Sequence, residues 1–317
     1  MIQSLSLCAE VTLALHNLNS EGTAGNQQQT RFVHVIDSSG RRHFVNAISG
    51  DVFKHVFVRH LTAALQAAGE PLSSGAAAGS PDRITIDAEF KKAIRGRSAA
   101  EVQTEMLARC AVTDIAGTLF TEGMTVPRKS CAEFGWVAGL PGKVHSEQHF
   151  HVKFEPDRRK ASGQAPKGEG TVAGSQTVFH RPANSGVYAL ICHVELSRIG
   201  FNDVTREIVL PVRSRKLRQQ AALQALLATL VQPAGAQRNT QNPHILGCSG
   251  VLSTSTSYLP APLLSPMAED YRLQIAAIAD TLNRITPKAV RTRDFATLAE
   301  AVALIEQIRK EGYGSGS

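Results

Sequence analysis

A short run of polar and charged residues after position 48 has the chemistry of a phosphate site. Ser49 and Asp51 are residue types typical of a helix start, where a side-chain oxygen accepts a hydrogen bond from a free backbone amide. Lys54, His55 and Arg59 then fall on the polar face of the helix that the apolar spacing predicts. Free amides at a helix start and cations in the first turns attract phosphate groups. The alternative is an ordinary packing helix whose cations are only solvated.

Two further segments combine small residues with amides. Residues 17–26 read NLNSEGTAGN, in which glycines permit close backbone approach and asparagines offer hydrogen-bond donors. Residues 233–240 read PAGAQRNT and carry one cation, Arg238. Beside the predicted helix, such loops would hold a polyanion by its backbone without reading its sequence. The other cationic clusters are Arg95 with Arg97, Arg158 with Arg159, Lys160 and Lys167, and Arg213 to Arg218.

The composition favours a polyanionic partner but not a base-stacking one. The 317 residues include 34 Lys and Arg against 27 Asp and Glu, a net charge of +7. Aromatic residues make up only 5% of the chain, with one Trp, so a large stacking platform is not expected. Hydrophobic residues at 43% are typical of a globular protein that does not span a membrane.

Metal binding has weak support in the sequence. His145, His149 and His151 lie close together, with Cys131 not far away, yet no second pair has the spacing of a zinc site and HExxH is absent. No metal or other cofactor is therefore predicted. A P-loop, a GxGxxG fingerprint and a GxSxG motif are also absent.

Three carboxylates near the first polar loop keep one catalytic alternative open. Glu21, Asp37 and Asp51 lie in or near that segment, and a carboxylate there could hold a divalent ion for strand cleavage. Glu21 is as well suited to orienting backbone amides, and Asp51 is better explained as a helix-start residue. No catalytic residue is predicted.

Cysteine usage and the absence of a long apolar run point to the cytoplasm. The five cysteines are odd in number and form no CxxC pair, which indicates a reducing compartment. No apolar run reaches membrane-spanning length, and residues 1–13 predict a strand rather than a signal peptide. Residues 312–317, which end in GSGS, are expected to be a linker.

The hydrophobic periodicity predicts an α+β fold of the ferredoxin-like kind. Alternation in residues 5–13 predicts a first strand, and Gly69 is expected to end the helix that starts at Ser49. Residues 69–82, rich in Ala, Gly, Ser and Pro, indicate a linker or mobile loop. The remaining predicted elements are a hairpin around residues 38–40, helical segments in 84–107, a central strand at 186–197, a helix from 213, a strand at 245–255 and two helices at 268–284 and 294–310.

The least periodic region predicts a protruding hairpin. Residues 157–175 concentrate cations amid Gly, Ser and Pro, while residues 149–154 and 177–180 show strand alternation. A β-hairpin with a cationic tip fits both observations. A surface loop without defined structure is the alternative.

Several motifs in the chain resemble the DevR family of CRISPR-associated proteins. These are backbone subunits, of the RAMP superfamily, in type I Cascade surveillance complexes. The matching segments are SLSL at 4–7, NxEGxxGN at 19–26, NAISGDxxKH at 46–55, CxxxDxxG at 110–117, SGVYAL at 185–190, RIG at 198–200 and GAQR at 235–238.

The resemblance implies a hand-like, modified ferredoxin-like or RNA-recognition-motif fold with inserted helical and β-hairpin (thumb) elements. One RNA-binding domain would span residues 1–311, with a core at about 1–68 and 185–311, a helical insertion at about 69–120 and a thumb or variable insertion at about 121–184. Together the residue pattern and the resemblance predict an RNA-binding set of Asn17, Asn19, Gly22, Gly25, Asn26, Ser49, Lys54, His55, Arg59, Arg158, Arg159, Lys160, Gly235, Gln237 and Arg238.

The implied function is that of a non-catalytic guide-RNA-binding subunit. Its expected partners are the CRISPR guide RNA, target DNA through the guide, further copies of itself in a filament and other Cascade subunits. No association with a membrane is expected. Related type III subunits cut RNA with a loop aspartate, which residues 17–26 lack, so a metal-dependent RNA endonuclease remains an alternative. The other alternative is a DNA-binding regulator, which the family's historical name suggests.

Overall fold

The computed structural model describes residues 1–154 and 176–311. Arg158, Arg159 and Lys160, expected at a hairpin tip, and the expected linker at 312–317 lie outside the described residues. The described α-helices are α1 (Gly50–Ala67), α2 (Ser74–Ala77), α3 (Ala88–Ala93), α4 (Ala99–Arg109), α5 (Ala111–Ala116), α6 (Val212–Val231), α7 (Tyr271–Ile285) and α8 (Leu298–Glu311). None of these helices combines the length and apolar composition needed to span a bilayer.

The described strands build one large sheet and two small ones. They are β1 (Ser4–His16), β2 (Ser20–Ala24), β3 (Gln27–Thr30), β4 (Phe32–Ile36), β5 (Arg42–Ile48), β6 (Thr118–Phe120), β7 (Val126–Arg128), β8 (Ala132–Phe134), β9 (Val137–Phe154), β10 (Gln176–Glu195), β11 (Phe201–Asn202), β12 (Glu207–Ile208), β13 (His244–Ser255) and β14 (Val290–Phe295). The main path of the large sheet is β14-β13-β1-β10-β9-β5-β4, and neighbours on it are antiparallel.

Strand alternation explains why β1 and β10 lie at the centre of this sheet. Leu5, Leu7 and Leu13 of β1 are buried on one face. Tyr188 and Leu190 of β10 are buried beside them, as the sequence predicts for a central strand. The expectation of an α+β fold is confirmed.

Helices α1 and α6 pack against each other over one face of the sheet. Phe57 of α1 and Leu226 of α6 belong to the same buried core. The predicted boundaries of α1 are confirmed, because the Ser49 hydroxyl accepts a hydrogen bond from the Asp51 amide at 3.1 Å. Gly69 follows the helix end with φ of +72°, a left-handed conformation that favours glycine.

The opposite face of the sheet is covered at β1 and β13. Cys8, Val251 and Tyr271 form a small buried cluster there, to which α7 contributes Tyr271. The chain before α7 also lies on this face, where the Ala261 carbonyl accepts a hydrogen bond from the Ser6 hydroxyl at 2.9 Å. This part of the sheet is therefore closed to the base stacking that an open RNA-recognition sheet performs.

The predicted linker at residues 69–82 is wrong, because this segment contains α2. Ser73 caps the short helix by accepting a hydrogen bond from the Ala76 amide at 3.3 Å. Gly75 and Ala76 are buried, and a Cβ at Gly75 would collide with the Arg83 carbonyl oxygen. Small residues are required here by close packing, so their composition does not indicate mobility.

Buried ion pairs fasten α5 to β7 and α6. The Asp114 carboxylate accepts hydrogen bonds from Arg128 at 2.7 Å, Arg218 at 3.0 Å and the Gly200 amide. Arg218 also pairs with Glu70 at 2.7 Å and is only 1% exposed. Treating Arg218 as one of the cations available to a polyanion is therefore wrong, since internal carboxylates already neutralise it.

One predicted hairpin is present, and the two strands predicted for the other are paired. Strands β4 and β5 enclose the predicted turn, in which the Asp37 carboxylate accepts hydrogen bonds from Ser39 and Arg41 amides at 2.9 and 3.0 Å. Strands β9 and β10 pair from the centre of the sheet out to Phe154 and Gln176, beyond which the described residues end.

Candidate nucleic-acid interface

A cationic cleft lies between α1 and the segment that carries α2. It has a volume of about 410 Å³ and is lined by Asp51, Lys54, His55, Arg59 and Arg83. His55 and Arg59 are exposed, whereas Lys54 and Arg83 are half-buried. Lys54, His55 and Arg59 come from the first turns of α1, as the sequence predicts. The groups together would attract phosphate.

A second cleft of about 320 Å³ continues on the other side of Lys54. It is lined by the α1 start at Ser49 and Asp51, by Lys54 itself, and by Lys129 and Trp136. Lys54 therefore lies between the two clefts. An extended single strand of nucleic acid that crosses the α1 start would contact both clefts.

Lys54 is already engaged within the protein. Its ammonium group donates hydrogen bonds to the Ser130 hydroxyl and, at 2.7 Å, to the Ala132 carbonyl. Burial, together with the positive charge of Arg83, lowers the pKa of Lys54 to about 8. A phosphate would offset both effects, because its negative charge favours the protonated amine.

Arg83 is a candidate that sequence reasoning missed. Its guanidinium donates to the Gly117 carbonyl, and its Nε is buried without a hydrogen-bond partner among the described residues. Burial lowers the pKa of Arg83. No local pattern marks this residue, because it reaches the cleft only when α2 folds back beside α1.

The first polar segment is partly a hairpin rather than the predicted loop. Strands β2 and β3 pair, and the turn between them contains Gly25 and Asn26. Gly22 and Gly25 have φ of +94° and +63° and no neighbour close to where a Cβ would lie. The backbone conformation requires glycine there, and the open space permits approach from outside. The Asn26 carbonyl accepts a hydrogen bond from the His180 amide at 2.8 Å, which fastens the hairpin to β10.

The asparagines before this hairpin are buried. Asn19 is 7% exposed, and its side-chain oxygen accepts a hydrogen bond from the Ser49 amide at 2.8 Å. Asn19 therefore positions the start of α1. Asn17 is fully buried, and both polar atoms of its side chain lack a partner among the described residues. Neither asparagine presents its side chain on the surface.

The second polar loop packs against the first segment. The Ala236 amide donates to the Leu18 carbonyl at 3.0 Å, and a Cβ at Gly235 would lie 2.7 Å from the same oxygen. Gln237 has φ of +56°, and Arg238 is half-buried. The structure thus brings together the 17–19 connection, the α1 start and the 235–238 loop.

A family model described as "CRISPR-associated negative auto-regulator DevR/Csa2" matches residues 7–275. The chain belongs to the DevR/Csa2 family. Among curated protein sequences, none matches it.

Two of the solved structures similar to this DevR/Csa2 member are described as CRISPR RNA-guided surveillance complexes. A chain of a "CRISPR RNA-guided surveillance complex, pre-nicking" has a TM-score of 0.52 at 14% identity, covering 98% of this chain and 100% of that one. A second "CRISPR RNA-guided surveillance complex" has a TM-score of 0.49 at 14% identity, with coverage of 98% and 100%. Csc2 of Thermofilum pendens has a TM-score of 0.38 at 14% identity, covering 95% of this chain and 80% of its own. The first similarity shows a shared fold.

Two of the motifs that carried the family resemblance have structural roles. Asp114 of the CxxxDxxG segment and Gly200 of the RIG segment meet in the buried ion-pair network, where the Arg198 carbonyl accepts a hydrogen bond from Arg128 at 2.7 Å. Gly117 is needed because a Cβ there would lie 2.6 Å from the Arg128 carbonyl oxygen. These motifs stabilise the scaffold around the cleft.

Two of the candidate catalytic carboxylates, Glu21 and Asp37, already form an ion pair or hydrogen bonds with neighbouring residues. Glu21 forms an ion pair with Arg31. Hydrogen bonds from Ser39, His43 and the Arg41 amide hold the pKa of Asp37 well below its usual range. In residues 1–154 and 176–311, no group of three or more His, Cys, Asp or Glu side chains could hold a metal ion.

Proposed function

We propose that this chain is a non-catalytic backbone subunit of a cytoplasmic type I Cascade complex, which binds guide RNA along the start of α1. The observation that carries this proposal is the cationic cleft, in which Lys54, His55, Arg59 and Arg83 surround about 410 Å³ in a member of a CRISPR-associated family. A structural relative described as part of an RNA-guided surveillance complex adds support through its shared fold.

The arrangement of the cleft suits backbone binding. Cations and free amides at a helix start bind phosphates of any sequence, which leaves base edges free to pair with target DNA. Gly22 and Gly25 of the exposed β2–β3 hairpin would approach the ribose-phosphate chain closely, with Asn26 beside them. Buried Asn17 and Asn19, with the loop from Gly235 to Arg238, would support this surface from beneath.

We assign the sheet to a modified ferredoxin-like fold. In chain order, β1 is followed by α1, then by the β9–β10 hairpin, then by α6 and β13. The spatial order β13-β1-β10-β9 places the fourth strand beside the first and the third beside the second. This order and the two crossover helices are what a βαββαβ unit requires. Residues 69–120 would be the helical insertion.

The β9–β10 hairpin is the proposed thumb. Its strands extend from the central sheet to Phe154 and Gln176. The residues that join them include Arg158, Arg159 and Lys160, which would bind RNA at the tip. Head-to-tail association of copies along one guide would form an open filament through a heterologous interface, joined by other Cascade subunits.

Arg59→Ala tests guide binding at the cleft. Arg59 is exposed and lines the cleft, so its removal should weaken binding of single-stranded RNA of every sequence. We expect the slope of log affinity against log salt to fall by about 0.7, which corresponds to one phosphate contact on a single strand. The matched control is Arg95→Ala, which removes an exposed cation outside the cleft. Equal slopes of log affinity against log salt for the two variants would show that the cleft does not bind RNA.

Two other outcomes would favour a different function. Cleavage of complementary RNA with magnesium, lost in Glu21→Ala or Asp37→Ala, would identify an endonuclease. Tight binding to one duplex DNA sequence, without preference for RNA, would favour the auto-regulator named in the family description. We expect neither.

A further inference from the structure

The β4–β5 hairpin carries an aromatic face at the edge of the sheet. In its register His34 lies opposite Phe44, and Ile36 lies opposite Arg42. Because alternate residues share a face, Phe32, His34 and Ile36 of β4 stand on the same side as Phe44 and Arg42 of β5. All five residues are exposed, Phe44 to 63%. We name this set the β4–β5 platform.

The rings of the platform contact one another, and Phe32 stacks on Phe44. The centroids of Phe32 and Phe44 lie 5.1 Å apart with planes 22° from parallel. His34 lies 4.9 Å from Phe44 at 40°. Together they form a continuous aromatic strip whose three residues are exposed. The strip offers flat apolar surface of the kind on which nucleic-acid bases stack.

The charges around the strip favour a polyanion over a protein surface. Arg42 forms no ion pair or hydrogen bond with another side chain in the described part of the chain, and Arg41 is 77% exposed. The nearby carboxylate of Asp37 is held by Ser39, His43 and Arg41. Free positive charge beside stacked rings, with the local carboxylate occupied, matches a single strand with its phosphates at the rim.

We propose that the β4–β5 platform is a second nucleic-acid site, which stacks the bases of a single strand. The cationic cleft holds a backbone and leaves bases free, whereas the platform holds bases by their faces. The two sites use different residues and different chemistry. The platform does not depend on guide binding at α1.

The double variant Phe32→Ala/Phe44→Ala tests the platform in the full-length protein. Fluorescently labelled oligo-dT and oligo-U should each bind at least about tenfold more weakly, because two stacking surfaces are lost. Tyr258→Ala is the matched control, since Tyr258 is a 79% exposed ring outside the hairpin. Thermal unfolding of both variants checks the fold. Unchanged affinity of a folded double variant for both oligonucleotides would overturn the proposal.

A second variant retains the ring and reports stacking directly. Phe44→Trp should preserve affinity, and base stacking should quench the added indole fluorescence, measured against a Trp136→Phe background. Absence of quenching at saturating oligonucleotide would overturn the proposal even if the double variant fails to fold. Loss of subunit association in the double variant, with oligonucleotide affinity unchanged, would identify a protein-docking face and also overturn it.

The source of the strand can be distinguished in the assembled complex. If guide-loaded complex still binds oligo-dT through Phe44, the platform takes a second strand, such as displaced DNA. If loading abolishes that binding, the platform takes the guide itself. Arg59→Ala should leave Phe44→Trp quenching intact, so failure at the cleft is distinguishable from failure at the platform.

Discussion

Lys54 shows how one side chain acquires its chemistry from the fold. The sequence predicts a cation in the first turns of α1, and the structure places its ammonium group between two clefts against Ser130 and Ala132. Sequence spacing finds the residue but not its environment, because Ser130 is 76 positions away. Burial in that environment, together with the positive charge of Arg83, lowers the pKa of Lys54 to about 8.

A pH titration of RNA binding tests this role for Lys54. The amine is protonated below about pH 8 in the free protein, and a bound phosphate raises its pKa in the complex. RNA binding then takes up a proton above pH 8, so affinity should fall as pH rises, by at most about tenfold per unit. Lys54→Met should bind more weakly at pH 7 and lose this dependence.

Lys54→Arg provides the matched control for that titration. Arginine stays charged over the same range, so its affinity should not change between pH 7 and pH 9.5. A wild-type affinity that also stays constant over this range would exclude a phosphate contact by Lys54.

At the scale of elements, the buried ion pairs hold α5 against β7 and α6. Asp114 of α5 joins Arg128 of β7 to Arg218 of α6, and Glu70 beside α1 completes the pairing. Buried charges are costly unless every partner is present. This network fixes the segment that carries Arg83 beside α1, and so shapes the cleft.

Asp114→Asn should therefore destabilise the protein strongly. Removing the carboxylate leaves two buried guanidinium groups short of negative charge, which costs about 3–5 kcal/mol of unfolding free energy. Urea denaturation followed by circular dichroism measures the change. Asp82→Asn, an exposed aspartate, is the control and should change stability by less than about 0.5 kcal/mol. A small effect of Asp114→Asn would show that the network is dispensable.

The elements differ in how far the sequence could predict them. β1, α1 and β10 were predictable because their apolar residues recur at strand or helix spacing and are buried. α2 was missed because Ser, Gly and Ala give no apolar period, and its helix is specified by packing against Arg83 and Ile86. The β2–β3 hairpin was missed because β2 is exposed along nearly its whole length and neither strand shows an apolar alternation.

At the scale of the whole molecule, the arginines that contribute to the net charge of +7 are distributed between the interior and the surface. Arg128 and Arg218 are neutralised inside, while Arg59 and Arg42 stay exposed at the cleft and the platform. The α1 part of the site could be predicted from local spacing. The contributions of Arg83 and of the stacked rings could not, because they arise from residues distant in sequence or paired only by strand register.

Backbone binding of guide RNA is tested most directly by the nucleic acid that copurifies with the assembled complex. We expect a guide RNA whose backbone riboses are protected from hydroxyl radicals along the filament, while its base edges remain open to chemical probes. Arg59→Ala should reduce that protection. A complex that assembles without RNA, or RNA whose ribose backbone is unprotected, would contradict the proposed function.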